Sequence, residues 1–175
     1  MLYIKQAFII IVLIFASISL FSCNYGARKY ADAIGLYSEE YGVEEAIVFA
    51  VCETESHFNA RARSKVGAIG LMQIMPDTAQ WIARAIGMVD FKTDDLYDPT
   101  LNIRFGVWYL SYLFSIFDES WQVFAAYNAG ETAVKDWLKQ GKKTKEDIPY
   151  AETANYVKKI ERSIKHYRKK IAAFI

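Results

Sequence analysis

A fully apolar helix near the start of the globular part constrains the fold more than any other feature of this chain. Residues Ile47–Val51 (IVFAV) are apolar at five successive positions, and at about 100° per residue they cover nearly the whole circumference of a helix. A helix that is apolar all round is buried. The sequence therefore predicts a domain built around this helix, which delivers its C-terminal residues into the interior or into a cleft.

Two glutamates, Glu53 and Glu55, stand at the C-terminal end of this helix. Successive helical residues turn by about 100°, so the two side chains point about 200° apart and only one of them can face a given cleft. Glu55 lies in line with Val48 and Val51, whereas Glu53 lies nearer Phe49. Helix geometry alone does not choose between them, and a solvated glutamate near a helix end is also commonplace.

The rest of the chain carries mainly helical signals. The loop Asn59–Gly67 permits a small hairpin at most, and the aromatic row that follows Pro99 has the spacing of a core-facing helix. The segment Tyr127–Gly130 is expected to break a helix that begins at Trp121. Other helices are predicted over 28–42, from Pro76 to about Ile86, around Val134 and Trp137, and from Tyr150 to the C-terminus. The predicted fold is mainly α.

Composition and charge exclude several classes of function. Lys5 is the only charged residue in 1–23, which leaves 20 basic and 20 acidic residues in the remainder, whereas a nucleic-acid-binding domain is strongly basic. The two histidines, His57 and His166, are too scattered for a zinc site. The chain has no P-loop and no dinucleotide fingerprint. We therefore expect no metal, no cofactor and no nucleic-acid partner.

The N-terminus predicts export and a membrane tether. Residues 6–27 contain no charge, and the apolar run lies on the boundary between a membrane-spanning helix and a cleavable signal. Leu20-Phe21-Ser22-Cys23 resembles a bacterial lipobox, although Phe21 stands where a small residue is usual. An uncleaved anchor helix, a lipid on Cys23 and full secretion all remain open. We assign residues 1–27 to this signal or anchor segment and 28–175 to an extracytoplasmic domain.

The chain contains four blocks with a distinctive pattern: ESHFNARARSKVGAIGLMQIMPDTA, DPTLNIRFGVWYL, AAYNAG and IPYAETANYV. They resemble the lytic transglycosylases of the soluble, Slt-like group, which share a lysozyme-like fold. The resemblance covers roughly residues 36–167, with the blocks in the family's order and spacing. One departure is Ala60, where the family usually has Pro. The resemblance implies a lysozyme-like helical domain.

The resemblance also implies a set of functional residues. Glu55, which directly precedes Ser56, matches the family's catalytic acid, so Glu53 becomes its neighbour. The matching substrate-binding residues are Ser64, Gln73, Met75, Tyr127, Asn128 and Glu152. A buried helix end would raise the pKa of Glu55 by desolvation, as a general acid near neutral pH requires.

The implied activity is cleavage of the bond between N-acetylmuramic acid and N-acetylglucosamine in peptidoglycan, with closure of a 1,6-anhydro ring. Glu55 acts first as acid and then as base. The alternatives are a lysozyme that admits water to the same intermediate, and a non-catalytic glycan-binding module. The expected partners are peptidoglycan glycan strands and, through the N-terminal segment, a membrane. The expected oligomeric state is a monomer.

Overall fold

The structure, a computed structural model, describes residues 26–173. Two short 3₁₀ helices, Thr93–Tyr97 and Lys145–Asp147, lie in connections between longer helices. The α-helices are α1 (Ala31–Tyr41), α2 (Glu45–Ser56), α3 (Pro76–Ala85), α4 (Pro99–Ile116), α5 (Ser120–Ala129), α6 (Glu131–Lys139) and α7 (Ala151–Ala172). The prediction of a mainly helical domain is confirmed.

Helix α2 is the centre of the domain, as its apolar sequence predicts. Every residue from Ala46 to Cys52 is buried, and the helix packs along α7. The two helices run in opposite directions: Arg168 near the end of α7 pairs with Glu44 before α2, and Tyr156 near its start contacts Glu55. The C-terminal end of α2 therefore meets the N-terminal half of α7.

The connection between α2 and α3 is irregular rather than a regular hairpin. Isolated antiparallel bridges join Ile69 to Arg63 and to Ile74, and residues 26–173 contain no longer strand. This agrees with the prediction of a small hairpin at most. Helix α3 then begins at Pro76, which suits a first helical position because its missing N–H has no partner there.

The predicted break at Tyr127–Gly130 is wrong in its extent. Helix α5 continues through Tyr127 and Asn128 to Ala129, and only Gly130 leaves the helical conformation, with φ 89°. Its N–H still bonds the carbonyl of Ala126 at 2.8 Å. One glycine suffices to end the helix because it adopts positive φ without a Cβ clash, so Tyr127 and Asn128 lie in the last turn of a helix.

The aromatic row of α4 is only partly core, which corrects a second expectation. Phe105 is fully buried, but Trp108, Tyr109 and Tyr112 are half-buried and contact the exposed Trp81 of α3. These rings form the wall of a surface cleft.

The predicted anchor helix lies largely outside the described residues. Within residues 26–173 no helix is long and apolar enough to cross a membrane.

Candidate active site

A carboxyl–hydroxyl pair lies where the end of α2 meets α7. The Tyr156 hydroxyl donates a hydrogen bond of 2.6 Å to Oε1 of Glu55. Glu55 is half-buried in the last turn of α2, and Tyr156 reaches it from the second turn of α7. The pair joins residues 101 positions apart in the chain, so the α2–α7 packing is what assembles it.

The surroundings of Glu55 favour its protonated form. Burial raises the pKa of this carboxyl. The Tyr156 hydrogen bond and the positive charge of Lys159 lower the pKa, but by a smaller amount than burial raises it. Burial also raises the pKa of Tyr156 well above its ordinary value, with the charge of Glu55 as the next cause. Tyr156 is therefore a fixed donor to Glu55 and does not compete as an acid near neutral pH.

Glu53 occupies a different environment. The Ser163 hydroxyl donates to Oε2 of Glu53 in a short hydrogen bond, further along α7 than Tyr156. The two glutamates thus diverge as helix geometry predicts, and Glu55 is the one held by Tyr156. This arrangement favours Glu55 as the functional carboxyl.

The loop between α2 and α3 is held against Glu55 by backbone contacts at Leu71 and Met72. Ser56, next to Glu55, donates its hydroxyl to the Leu71 carbonyl at 2.7 Å. Tyr127 donates to the Met72 carbonyl at 2.8 Å, and the charge of Glu55 contributes to the raised pKa of Tyr127, after burial. Tyr127 therefore lies near Glu55 and fixes the loop at the same time.

Asn102 of α4 holds the other side of this loop. Its Oδ1 accepts from the Met72 N–H at 2.8 Å, and its Nδ2 donates to the carbonyls of Ile69 at 2.9 Å and Leu96 at 3.0 Å. The side chain is fully buried. Without the Asn102 amide, the Met72 N–H and the Leu96 carbonyl would lose their side-chain partner, which is a costly state for buried polar atoms. The Ile69 carbonyl would keep only its bond from the Ile74 N–H at 3.0 Å.

Gly70 allows the loop to approach this amide. Its φ is 83°, and a Cβ at this position would collide with Asn102 and with the Leu96 carbonyl. A side chain here is excluded both by the backbone conformation and by the lack of space.

Two predicted substrate-binding residues contribute mainly to the loop itself. Gln73, at φ 49°, donates its amide N–H groups to the carbonyls of Gly70 at 2.9 Å and Ala62 at 3.2 Å. The hydroxyl oxygen of Ser64 accepts from the Ala68 N–H at 3.0 Å. Both residues stabilise the wall beside Glu55.

The other predicted substrate-binding residues lie on helix ends. Met75, 40% exposed, directly precedes α3. Asn128, in the last turn of α5, accepts a hydrogen bond of 2.8 Å from the Thr153 hydroxyl of α7. Glu152 is exposed in the first turn of α7. No hydrogen bond joins Glu55 to Ser64, Met75 or Glu152 within residues 26–173, so their roles as substrate contacts stay predictions.

An aromatic cleft of about 370 Å³ adjoins this site, lined by Thr78, Trp81, Tyr109, Tyr112 and Glu131. The rings of Tyr109 and Tyr127 lie 5.5 Å apart, which connects the cleft to the loop beside Glu55.

Sequence reasoning missed three kinds of residue. Tyr156 has the spacing of a core-facing residue with Ile160 and Ile164, and this pattern gives no signal of its hydrogen bond with Glu55. Asn102 stands as one polar residue on the buried face of α4, and that position is itself a signal for a structural hydrogen-bond donor. Trp81 and Glu131 gave no recognisable signal, because the cleft they line depends on how α3, α4 and α6 pack.

The site offers one half-buried carboxyl with a raised pKa, a fixed donor beside it, and an aromatic cleft next to it. A carboxyl kept protonated by desolvation can donate its proton to a leaving oxygen, as general acid catalysis in glycoside cleavage requires.

Comparison with known proteins agrees with this chemistry. The family model of the Transglycosylase SLT domain matches residues 32–149. The soluble lytic murein transglycosylase of Salmonella typhimurium is 34% identical over 148 residues, which cover 79% of this chain and 23% of that protein. The membrane-bound lytic murein transglycosylase C of Haemophilus influenzae is 40% identical over 121 residues, covering 62% of this chain and 33% of that protein.

Solved structures give the same relationship. An inactive mutant of the lytic transglycosylase Slt of Pseudomonas aeruginosa, with a glutamate replaced by glutamine, superposes with a TM-score of 0.76 at 35% identity, covering 82% of this chain and 24% of that one. The 70 kDa soluble lytic transglycosylase of Escherichia coli gives a TM-score of 0.75 at 33% identity, covering 81% and 24%. The chain therefore spans about a quarter to a third of the length of these relatives, and it belongs to the Transglycosylase SLT domain family.

Proposed function

We propose that this protein is a peptidoglycan lytic transglycosylase with Glu55 as its catalytic residue. The observation that carries the proposal is the half-buried Glu55 carboxyl, whose pKa is raised by burial and which Tyr156 holds in place. Family membership and relatives named as lytic murein transglycosylases support the same reaction.

In the first step Glu55 donates its proton to the glycosidic oxygen between N-acetylmuramic acid and N-acetylglucosamine. The bond from this oxygen to the anomeric carbon of the muramic residue breaks, and the N-acetyl group of that residue stabilises the positive centre. Most glycosidases use a second protein carboxylate at this stage. Here the substrate's own group takes that role, so one glutamate is sufficient.

In the second step the Glu55 carboxylate accepts the proton of the C6 hydroxyl of the same muramic residue. The hydroxyl oxygen bonds the anomeric carbon and closes the 1,6-anhydro ring. The step is intramolecular, which gives it a large entropic advantage over the recruitment of water. Tyr156 donates to the carboxylate that the first step creates, and so stabilises it.

The proposed substrate contacts are the walls on either side of Glu55. Tyr127, with Ser64, Gln73 and Met75, belongs to the side formed by the α2–α3 loop and α5. Asn128 and Glu152 lie where α5 and α7 meet, and the Thr153–Asn128 hydrogen bond holds these two helix ends together. We assign Glu152 to substrate positioning.

We further propose that the protein acts outside the cytoplasm as a monomer, tethered to the membrane by residues 1–27 or by a lipid on Cys23. The uncharged segment 6–27 supports export, and one similar relative is named as membrane-bound. The intact mass of the protein extracted from membranes distinguishes an uncleaved anchor from a lipidated Cys23.

The first test is Glu55→Gln, which keeps the shape of the side chain but removes its proton. We expect a loss of wall-cleaving activity of about 100-fold or more, the usual contribution of a general acid. The assay is release of soluble fragments from purified peptidoglycan. Glu53→Gln is the matched control on the same helix end and is expected to keep most of the activity. Equal loss in both variants would contradict the assignment of the acid.

Product analysis separates the transglycosylase from a lysozyme. Mass spectrometry of fragments made by the wild-type protein is expected to show 1,6-anhydro-muramyl ends. Products with only reducing ends would show that the protein is a lysozyme that hydrolyses the bond. An absence of cleavage would favour a non-catalytic glycan-binding module.

A further inference from the structure

The aromatic cleft has an exposed indole at its centre. Trp81 is 37% exposed, and its ring meets the rings of Tyr112 at 4.8 Å and Tyr109 at 6.3 Å, both edge to face. Trp108 lies behind them, stacked on Tyr112 at 6.0 Å. The neighbouring rings leave Trp81 little freedom to turn, so the cleft presents a preformed aromatic wall.

A single carboxylate gives the cleft its charge. Glu131, in the first turn of α6, lines the cleft together with Trp81, Tyr109 and Tyr112. Burial raises the pKa of Tyr109 to about 12, with the charge of Glu131 as the next cause. Burial likewise raises the pKa of Tyr112, followed by its hydrogen bond with Glu131. Glu131 therefore acts on both tyrosines.

Both components of the cleft attract cations. Aromatic faces carry partial negative charge, and a cation over such a face is stabilised more when water is partly excluded. Glu131 forms an ion pair with Lys135, one turn further along α6, whose Nζ lies 3.3 Å from the carboxylate and whose side chain is 45% exposed. An exposed i,i+4 pair of this kind is weak, so a bound ammonium group can replace Lys135 at the carboxylate.

The cleft also lies beside the catalytic site. Tyr109 lines the cleft and contacts the ring of Tyr127, which in turn bonds the loop next to Glu55. The contact between Tyr109 and Tyr127 therefore connects the cleft to the loop beside Glu55, and we infer that a group carried by a glycan strand at Glu55 reaches the cleft along this side.

We propose that the aromatic cleft binds a primary ammonium group carried by the substrate, with Trp81 and Tyr112 as its aromatic walls and Glu131 as its counter-charge. The identity of the carrier rests on the proposed function. On a peptidoglycan strand the ammonium comes either from a glucosamine without its acetyl group or from the free side-chain amine of a peptide stem. Both present the same chemistry to the cleft.

The test uses the full chain with Glu55→Gln, so that no ligand is cleaved, and isothermal calorimetry. One arm compares tetraglucosamine with its fully N-acetylated form. The other compares the stem tripeptide N-acetyl-Ala-γGlu-Lys, in which the lysine amine is the only ammonium group, with the same peptide also acetylated on the lysine amine. In at least one arm we expect about tenfold tighter binding of the ammonium form, as for a partly desolvated cation on an aromatic face with a charged partner. The arm that shows it identifies the source.

Second substitutions locate the ammonium group. Adding Glu131→Gln is expected to reduce the preference to about twofold or less, and adding Trp81→Leu is expected to weaken binding of the ammonium form. The matched control is Asp136→Asn, on the same helix, since Asp136 pairs with Lys139 at the same 3.3 Å spacing and does not line the cleft.

Three results would overturn the proposal. They are a preference for the ammonium form of less than twofold in both arms, a preference that survives Glu131→Gln, and a loss of preference in Asp136→Asn equal to that in Glu131→Gln. Because binding is measured on an inactive variant, these results do not depend on the cleavage assay. Failure of the proposed function appears instead as wall cleavage that survives Glu55→Gln.

Discussion

At the scale of single residues, the chemistry of Glu55 is set by opposing effects. Burial raises the pKa of its carboxyl, and the Tyr156 hydroxyl lowers it by donating to the charged form. A general acid that later becomes a base needs both, because it has to hold a proton before the first step and be stable as a carboxylate after it. In the proposed reaction, Tyr156 therefore stabilises the Glu55 carboxylate, which burial alone would disfavour.

This balance predicts the effect of Tyr156→Phe on the pH dependence of cleavage. The change removes the hydrogen bond that favours the charged form of Glu55, so the pKa of this carboxyl rises further. Activity falls as pH rises through the pKa of an acid catalyst. In Tyr156→Phe this fall in the pH–activity profile is expected to move to higher pH. The measurement is the rate of wall cleavage from pH 4 to 9.

The control for this prediction is Tyr150→Phe, just before α7. Tyr150 is 55% exposed and packs against Trp137, so its hydroxyl has no expected effect on Glu55. If the fall in activity of Tyr156→Phe stays at the same pH as in the wild type, or moves to lower pH, the tyrosine does not act through the acid.

Residue patterns predicted part of this site, for physical reasons. The apolar circumference of α2 predicted a buried helix that ends on a pair of glutamates, and the structure places Glu55, half-buried, in the last turn of that buried helix. The family resemblance identified Glu55, rather than Glu53, as the match to the catalytic acid. The Tyr156 contact spans 101 positions and depends on the register between α2 and α7, which no local pattern encodes.

At the scale of elements, the α2–α3 loop forms one wall of the site beside Glu55. The α2–α3 loop has no regular strand pairing to fix it, so side chains bond its backbone from three helices: Ser56 of α2, Asn102 of α4 and Tyr127 of α5. Periodicity predicted the helices well because each has an apolar face. It could not predict a loop whose shape depends on contacts with separate elements.

Asn102→Ala tests how strongly this loop is held. The change leaves the Met72 N–H and the Leu96 carbonyl without their side-chain partner, and it removes one of the two hydrogen bonds of the Ile69 carbonyl. Each unpaired buried group costs about 1–3 kcal/mol. We expect the free energy of unfolding to fall by about 3 kcal/mol or more, measured by urea denaturation. Activity is expected to fall as well, because the loop forms one wall of the site.

Ser115→Ala, on the same helix, is the control. Its exposed hydroxyl bonds only the Tyr112 carbonyl one turn back, so the expected change is within about 0.5 kcal/mol. If both variants lost similar stability, the amide would not be the main support of the loop.

At the scale of the whole molecule, catalytic function and stability of the fold oppose each other. A group whose folded pKa is raised stabilises the fold fully below its unfolded pKa, and this contribution is lost as pH rises through the folded pKa. Glu55 is such a group. At neutral pH the domain therefore keeps a carboxyl in surroundings that disfavour its charge, a common cost of catalytic sites.

This conflict predicts that Glu55→Gln stabilises the protein at neutral pH while abolishing its activity. Glutamine carries no charge, so the melting temperature of the variant is expected to exceed that of the wild type above the folded pKa of Glu55. The difference should disappear below about pH 4.3, the ordinary glutamate value.

The opposite control is Glu44→Gln, because the hydrogen bond from Arg168 lowers the pKa of Glu44. There the wild type is expected to be the more stable protein above that value, and its advantage is lost as pH falls through the lowered pKa. Thermal melts from pH 3 to 8 on all three proteins compare the two signs directly. An unchanged or lower melting temperature of Glu55→Gln at pH 7 would mean that the surroundings of Glu55 do not disfavour its charge, and would remove the physical basis for its role as the acid.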